Sequence, residues 1–237
     1  MTLDKSDGFK KSEHDAYVEH RIAQHCERHG IDPLTALKLF PILARRQPLK
    51  RYLAHVELFK MTLDLPGDIG EFGVYRGAGL FTWANLLEAY CIGDRTKTVW
   101  GFDDWDGFGE FRPAVFRKEV LDATAIFDAD RFIPQKPRIK LIDGHIEDTV
   151  PQFVLDNQGV RFSLIHLDCD LYGPTKAVLN TLWDRVVPGG VVIFDEYGIP
   201  DWPGETAAVD EFLADKPGLR LRTFHWTNTP GAFLCKP

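Results

Sequence analysis

Four acidic residues stand directly after two apolar runs of the chain. Asp168 and Asp170 stand at the end of the first run, which begins at Phe162. Asp195 and Glu196 follow the second run, Val191–Phe194. An isolated buried carboxylate is strongly unfavourable unless it is paired or binds a cation. Oxygen ligands without His or Cys favour a hard cation such as Mg²⁺ or Ca²⁺. The four acids therefore predict a metal site, with helix capping as the alternative for some of them.

The two acids of the first run differ in reach. Both apolar runs are typical of buried strands, and an open α/β sheet carries its active site at the carboxyl ends of its strands. Asp168 closes its strand, whereas Asp170 starts the loop beyond it. One carboxylate can therefore ligate a metal ion while the other faces a substrate. His166, inside the strand, is predicted to be a hydrogen-bonded core residue rather than a ligand.

A glycine-rich segment, Glu71–Gly79, lies between an apolar strand and an apolar helix that begins near Leu80. Its glycines permit a tight turn and a close approach to a ligand. The pattern is E-x-G-x-x-x-G and lacks the G-x-G-x-x-G spacing that places a dinucleotide pyrophosphate on a helix N-terminus. The alternative is that Gly73, Gly77 and Gly79 only shape the turn.

Two more strand ends carry acidic residues. Asp103 ends the second predicted strand, where a carboxylate can accept hydrogen bonds from both ribose hydroxyls of a nicotinamide or an S-adenosyl cofactor. The alternatives for Asp103 are a helix cap or a solvated charge. Asp143, Gly144 and His145 follow the third strand, where they could hold an adenine ring or form an Asx-turn that caps the helix starting near Ile146.

Short apolar strands alternate with helical stretches from Asp68 onward, which predicts a parallel, doubly wound α/β sheet. In the tail, two strand-like runs, Leu219–Thr227 and Ala232–Lys236, flank a turn signal, and a short hairpin joins only antiparallel strands. Five parallel strands closed by a C-terminal antiparallel pair are typical of the Rossmann-like class I methyltransferase fold. The five predicted strands are Asp68–Phe72, Thr98–Asp103, Arg138–Ile142, Phe162–Asp168 and Gly190–Asp195.

The first 65 residues have no strand signal and predict an N-terminal helical cap, followed by one catalytic domain at residues 66–237. Residues 104–137 are too long for an ordinary strand-to-helix connection, which favours a lid. The alternative is that the aromatic rings of this insertion simply pack on the sheet. These rings are Trp105, Phe108, Phe111, Phe116, Phe127 and Phe132.

The composition favours a small-molecule partner. The chain has 237 residues, a formal net charge of −7 and a pI near 5.6, which argues against nucleic acid or an anionic membrane as the main partner. The four cysteines have no metal or disulfide spacing. The polar start lacks the apolar core of a signal peptide, and no apolar run approaches bilayer length. We therefore expect a soluble, cytoplasmic protein with reduced thiols.

Four ordered segments between about Gly67 and Phe212 resemble the macrocin O-methyltransferase family. Enzymes of this family methylate sugar hydroxyls in antibiotic biosynthesis, use S-adenosylmethionine and require Mg²⁺. The resemblance therefore implies both cofactors for this chain. The four segments are Gly70–Gly77, Gly101–Phe108, His166–Thr175 and Phe194–Gly198.

The resemblance also implies a role for individual residues. Asp170 matches the general base, and Asp103 matches the residue that holds the ribose. Glu196 stands where members of the family often have an Asp. Glu205 and Thr206 stand where the family commonly has a basic residue, so the identity of the sugar stays undetermined. The metal ligands would be Asp168, Asp195 and Glu196. The cofactor contacts would be Glu71, Gly73, Arg76, Gly77, Asp103, Asp143, Gly144 and Asp168.

These observations predict a metal-dependent O-methyltransferase that acts on a hydroxyl of a sugar or glycosylated natural product, and we expect a homo-oligomer. A catechol is an alternative acceptor, because catechols and sugars both have adjacent hydroxyls that chelate Mg²⁺. An NAD-dependent oxidoreductase is disfavoured by the glycine spacing. A non-catalytic S-adenosyl-binding partner protein is disfavoured by the acidic cluster.

Overall fold

The computed structural model describes residues 13–106 and 114–237, with the side chains of residues 114 and 115 left out. The chain divides into two compact units, Met1–Leu49 and Lys50–Pro237. The described part of the first unit is helical, and the predicted boundary at residue 65 stays a prediction. None of the helices in the described ranges has both the length and the apolar character to cross a membrane. The first helices are α1 (Glu13–His29), α2 (Pro33–Lys38), α3 (Phe40–Leu43) and α4 (Arg46–Lys60).

The second unit is built on a six-stranded sheet in the order β3-β2-β1-β4-β5-β6. Neighbouring strands from β3 to β5 are parallel, and β6 runs antiparallel to β5. The predicted doubly wound α/β fold is therefore confirmed. The strands are β1 (Asp68–Phe72), β2 (Val99–Asp103), β3 (Ile139–Asp143), β4 (Phe162–Leu167), β5 (Val186–Phe194) and β6 (Ala232–Cys235).

The tail differs from its prediction in one element. Ala232–Cys235 forms the antiparallel strand, but Leu219–Thr227 forms no strand and pairs with β6 only through Arg222 and Phe233. Turns end the run on both sides, because the Leu219 N–H donates to Lys216 O and the Thr227 N–H donates to Phe224 O. The antiparallel pair that closes the sheet is therefore β5 with β6.

Helices cover both faces of the sheet and bury its strands. On one face, Phe72 stacks on Phe102 with ring centroids 4.6 Å apart. On the other face, Trp83 and Leu58 pack against strand residues such as Ile193. Burying a side chain of this size contributes about 1.5–3 kcal/mol, so the strand ends are held rigidly. The covering helices include α5 (Ala78–Tyr90), α7 (Ile146–Asp156), α8 (Tyr172–Leu182) and α9 (Pro203–Ala214).

The predicted lid segment, residues 104–137, contains helix α6 (Ala114–Ala129). Phe108 and Phe111 lie outside the described residues. Trp105 is buried, whereas Phe132 is 71% exposed. The Phe116 ring meets the Tyr75 ring edge-on at 4.7 Å, and Phe127 packs against Phe81 at 6.1 Å. A lid function of this segment stays a prediction.

Candidate active site

The predicted site residues lie at one edge of the sheet. Strand β1 is flanked by β2 on one side and β4 on the other. This is the switch point at which open α/β sheets bind ligands. We call the ends of β1, β2 and β3 the β1–β3 half of the site, and the ends of β4 and β5 the β4–β5 half.

The β4–β5 half brings together three carboxylates that the sequence predicted as metal ligands. Asp168, Asp195 and Glu196 each offer an oxygen atom, and these atoms lie within 4.8 Å of one another. Asp195 and Glu196 are each 2% exposed. Among the described residues, Glu196 Oε2 has no hydrogen-bond partner although it is buried. A buried oxygen without a donor suits a hard cation.

Arg51, a residue that sequence reasoning missed, spans two of these carboxylates. Its Nη2 atom donates to Asp168 Oδ2 at 2.5 Å and lies 3.0 Å from Asp195 Oδ2. Its Nε atom donates to Asp195 Oδ1 at 3.1 Å. Burial alone would lower the pKa of Arg51, but the charges of Asp168 and Asp195 hold it well above its usual value. The guanidinium is therefore a permanent positive charge between the two acids.

Three further carboxyl groups at this edge are short of positive partners. Asp170 has a φ of 59°, and burial together with the charges of Asp168 and Asp195 raises its pKa to about 7. Burial and the same two charges raise the pKa of Glu196 far above its usual range. Glu205 is fully buried, and its Oε1 accepts the Glu196 N–H at 2.9 Å. Its pKa is raised by burial and by Asp195.

A buried series of hydrogen bonds runs from Glu71 through His166 to Asp195. His166 Nδ1 lies 2.8 Å from Glu71 Oε2, and His166 Nε2 lies 3.3 Å from Asp195 Oδ1. Trp83 Nε1 donates to the same Glu71 oxygen at 2.7 Å. Burial lowers the pKa of His166, but the Glu71 charge and hydrogen bonds to both acids raise it to about 10. His166 is therefore a hydrogen-bonded core residue, as predicted, and carries a positive charge at neutral pH.

One predicted site residue and one residue outside the predicted set take unexpected positions in this chain. Glu71 is 1% exposed, and its carboxylate faces Trp83 and His166. His55, which is absent from the predicted site residues, places Nε2 3.9 Å from Asp195 Oδ1. Burial lowers the pKa of His55 to about 4, so the imidazole is neutral.

In the β1–β3 half, Asp103 is paired with backbone donors. Its Oδ2 accepts the N–H groups of Val74 and Tyr75 at 2.7 and 2.8 Å. Its Oδ1 accepts the Trp105 N–H at 2.7 Å. Since a carboxylate oxygen has two lone pairs, Oδ1 is able to accept a second hydrogen bond beside that from Trp105. The carboxylate thus ties the glycine-rich loop to the end of β2.

Asp143 is paired with side-chain donors. Arg117 Nε donates to its Oδ1 at 2.9 Å, and Arg117 Nη2 donates to its Oδ2 at 2.7 Å. Trp105 Nε1 also donates to Oδ1, at 2.7 Å. The hydrogen bond from Arg117 lowers the pKa of Asp143. The next residue, Gly144, has a φ of 126° and donates its N–H to Asp103 O at 3.0 Å, which joins the ends of β2 and β3.

The glycine-rich loop joins the two halves. Gly73 has a φ of 93°, and a Cβ atom there would lie 2.0 Å from Asp168 O, so no other residue fits beside β4. Gly77, with a φ of 89°, precedes α5. Arg76 lies on the exposed surface, where its Nε donates to Glu119 Oε2 at 2.9 Å.

Residues 44–219 match the family model described as macrocin-O-methyltransferase (TylF). The chain belongs to this family. The resemblance found in the four sequence segments is therefore confirmed, and the match extends it toward the N-terminus to include Arg51.

Two curated relatives of this macrocin-O-methyltransferase family member cover a little over half of it. One, mycinamicin III 3''-O-methyltransferase of Micromonospora griseorubida, is 30% identical in a 152-residue alignment that covers 57% of this chain and 57% of that protein. The other, 8-demethyl-8-(2,3-dimethoxy-alpha-L-rhamnosyl)-tetracenomycin-C 4'-O-methyltransferase of Streptomyces olivaceus, is 31% identical over 150 residues, 57% of this chain and 54% of that protein. The chain thus spans less than two thirds of the length of either relative.

A solved structure matches nearly the whole chain. It is the apo structure of CalS11, described as a TDP-rhamnose 3'-O-methyltransferase in calicheamicin biosynthesis, with 28% identity and a TM-score of 0.84. The match covers 96% of this chain and 96% of CalS11. The class I methyltransferase fold of this family member is therefore confirmed.

The contacts of Arg51 explain why sequence reasoning missed it. The residue lies 117 positions before Asp168 and 144 before Asp195, within a helix whose pattern indicates only packing. One signal was available, because Arg51 and His55 are four residues apart and therefore share a helix face.

Proposed function

We propose that this macrocin-O-methyltransferase family member transfers a methyl group from S-adenosylmethionine to a hydroxyl of a sugar or glycosylated natural product, with the help of a divalent cation. Family membership supports the methyl transfer. CalS11, described as acting on TDP-rhamnose, and a relative whose name includes a rhamnosyl group support a sugar acceptor. The observation that carries the proposal is the cluster of Asp168, Asp195 and Glu196, with the buried, unpartnered Glu196 Oε2.

The residues of the β4–β5 half fit a hard divalent cation. The three carboxylates supply oxygen ligands only, and one of these oxygens has no hydrogen-bond donor among the described residues. When bound, S-adenosylmethionine supplies the methyl group, and Mg²⁺ supplies a Lewis acid that lowers the pKa of the accepting hydroxyl. We assign Asp168, Asp195 and Glu196 as the residues that hold the cation.

Asp170 is the residue that we propose takes the proton of the hydroxyl. Its position after Asp168 places it at the start of the loop beyond β4, and its pKa near 7 suits a general base at neutral pH. His166 holds Asp195 through Nε2, and Glu71 holds His166 through Nδ1. A fixed carboxylate keeps its ligand oxygen in place, which lowers the cost of positioning the hydroxyl.

The β1–β3 half fits a nucleoside cofactor. Asp103 keeps one acceptor position for a ribose hydroxyl, and Asp143 and Gly144 stand at the neighbouring strand end. Gly73 and Gly77 allow the backbone to pass close to the methionine end, with Arg76 beside them. Because the Glu71 carboxylate is turned to His166 and Trp83, we propose that it supports the site through His166.

The experiment that tests this function uses the purified chain, S-adenosylmethionine labelled in its methyl group, and a panel of nucleotide sugars, glycosides and catechols. We expect label on a sugar hydroxyl with Mg²⁺ present and little after chelation by EDTA. Label on catechols alone would contradict the sugar acceptor, and equal turnover after chelation would contradict the metal. Titration calorimetry with S-adenosylmethionine and with NAD is the control for cofactor class, since binding of NAD alone would overturn methyl transfer.

A further inference from the structure

Arg51 occupies the oxygen atoms that a metal ion would need. Its guanidinium contacts both oxygens of Asp195, at 3.1 and 3.0 Å, and Oδ2 of Asp168, at 2.5 Å. Asp195 Oδ1 also lies 3.3 Å from His166 Nε2. A cation that bound Asp168 and Asp195 through these oxygens would therefore lie beside the Arg51 guanidinium, and the two positive charges would repel each other.

The excess of carboxyl groups at the site explains why the positively charged Arg51 guanidinium lies among them. Five carboxyl groups lie at or beside the ends of β4 and β5, and Glu196 Oε2 and Glu205 Oε2 are buried without a hydrogen-bond partner among the described residues. Within the described ranges, the guanidinium of Arg51 contacts both Asp168 and Asp195. A monovalent guanidinium compensates this set only in part, whereas a divalent cation adds a second charge at the same place. The carboxyl groups at this edge are Asp168, Asp170, Asp195, Glu196 and Glu205.

The helix that carries Arg51 is held in place by buried residues, whereas the Arg51 side chain is partly exposed and can move toward solvent. Ala54 and His55, one turn further along α4, and Leu58 and Phe59, two turns further, are buried, so the backbone of Arg51 stays in place. The Arg51 side chain is 29% exposed, and its long stem lets the guanidinium swing toward solvent. Release therefore requires the contacts with Asp168 and Asp195 to break and the side-chain rotamers to change, but it requires no movement of the helix.

We propose that Arg51 is an internal cation that holds Asp168 and Asp195 together in the metal-free protein and is displaced when a divalent cation binds. The inference rests on the proposed metal-dependent function and adds a regulatory element to that site. Arg51 prevents the two acids from repelling each other before the metal arrives. It also competes with the metal and so weakens its apparent affinity.

The test measures Mg²⁺ binding by titration calorimetry in the full chain, without S-adenosylmethionine or acceptor. We expect Arg51→Gln to bind Mg²⁺ about tenfold more tightly than the wild type, because a charge-assisted hydrogen bond no longer has to break. Arg51→Lys keeps the charge but loses the forked geometry, so its affinity should lie between the two. Arg45→Gln is the matched control, since Arg45 is also half-buried and paired with two carboxylates, Asp15 and Glu19.

A second measurement follows the arginine itself. In ¹⁵N-labelled protein, the Arg51 Nε–H resonance, assigned by its loss in Arg51→Lys, should move toward the position of a solvated arginine as Mg²⁺ is added. The melting temperature with EDTA should fall in Arg51→Gln, and saturating Mg²⁺ should remove most of the difference from the wild type.

Equal or weaker Mg²⁺ binding by Arg51→Gln, with normal binding by the wild type, would overturn displacement and leave the proposed function intact. If Arg51→Gln does not fold, the same comparison is made with Arg51→Lys, and unchanged affinity there overturns the inference. Absence of Mg²⁺ binding from the wild type and from every variant would instead contradict the metal site, and the inference would fall with it.

Discussion

The two halves of the site place carboxylates at equivalent strand ends and treat them differently. In the β1–β3 half, both oxygens of Asp103 and both oxygens of Asp143 accept hydrogen bonds from the protein. In the β4–β5 half, the carboxyl groups face one another, and Glu196 Oε2 and Glu205 Oε2 have no donor among the described residues. The sequence shows an acidic residue at a strand end in both cases.

The difference teaches that the surroundings of an acid decide its chemistry. Asp143 has a lowered pKa because an arginine faces it, whereas Asp170 has a raised pKa because burial and two other acids surround it. The first group is an acceptor with its charge already compensated. The second group belongs to a set in which carboxyl groups outnumber the basic side chains that contact them, which is why we place the cation and the proton transfer there.

The largest expected effect separates the two halves by metal affinity. We expect Asp168→Ala to lose measurable Mg²⁺ binding and to lower turnover about a thousandfold, because Lewis-acid stabilisation is worth several kcal/mol. The matched variant Asp143→Ala should keep the Mg²⁺ affinity of the wild type. Titration calorimetry with Mg²⁺ measures both. Equal loss of Mg²⁺ binding in the two variants would break the comparison between the halves.

The second prediction concerns proton transfer by Asp170. Asp170→Asn should lower turnover about a hundredfold or more, as expected for loss of a general base, while Mg²⁺ binding persists.

The same residue predicts a pH dependence. The ionised form is the active base, so turnover should rise with pH through the pKa of Asp170. That pKa is about 7 without metal, and bound Mg²⁺ should lower it because a positive charge favours the carboxylate. A pH–rate profile measures this limb, and its survival unchanged in Asp170→Asn would contradict the assignment.

The third prediction tests the loop that joins the halves. Gly73→Ala should lower the free energy of unfolding by about 2–4 kcal/mol, because the new Cβ would meet Asp168 O and the residue would keep a positive φ. Gly198→Ala is the control: its φ is 81° but no atom lies within 4 Å of the new Cβ. It should lose only about 1–2 kcal/mol for the backbone conformation. Urea unfolding measures both, and equal losses would show that the close approach to β4 does not matter.

The smallest effect is expected for Arg117 of the β1–β3 half, in contrast to Arg51, which contacts the β4–β5 half. Arg117→Gln removes the partner of Asp143, but both side chains are more than 40% exposed, and exposed ion pairs add little to stability. We expect no measurable change in melting temperature or in Mg²⁺ affinity, in contrast to Arg51→Gln. A fall in melting temperature as large as that of Arg51→Gln would remove the distinction between the two pairs.

The fold was predictable because its signals are local. Apolar runs, helical spacing and glycines identified β1 to β5 and their order along the chain. The strand predicted at Leu219–Thr227 was wrong, since a strand-like pattern of residues does not reveal the turns that end at Leu219 and Thr227. The sequence identified Gly73 as part of a turn. It did not show that position 73 excludes a larger residue because the backbone of Asp168 lies beside it, which follows from the packing of β1 against β4.

The sequence by itself determined which acids stand at strand ends and that Asp168, Asp195 and Glu196 meet at one edge, because parallel strands align their carboxyl ends. The tertiary structure alone decided what compensates each acid. Arg51 reaches Asp168 and Asp195 from a distant helix, and Arg117 reaches Asp143 from α6. Such partners depend on how helices pack on the sheet, and neither periodicity nor spacing along the chain encodes those contacts directly.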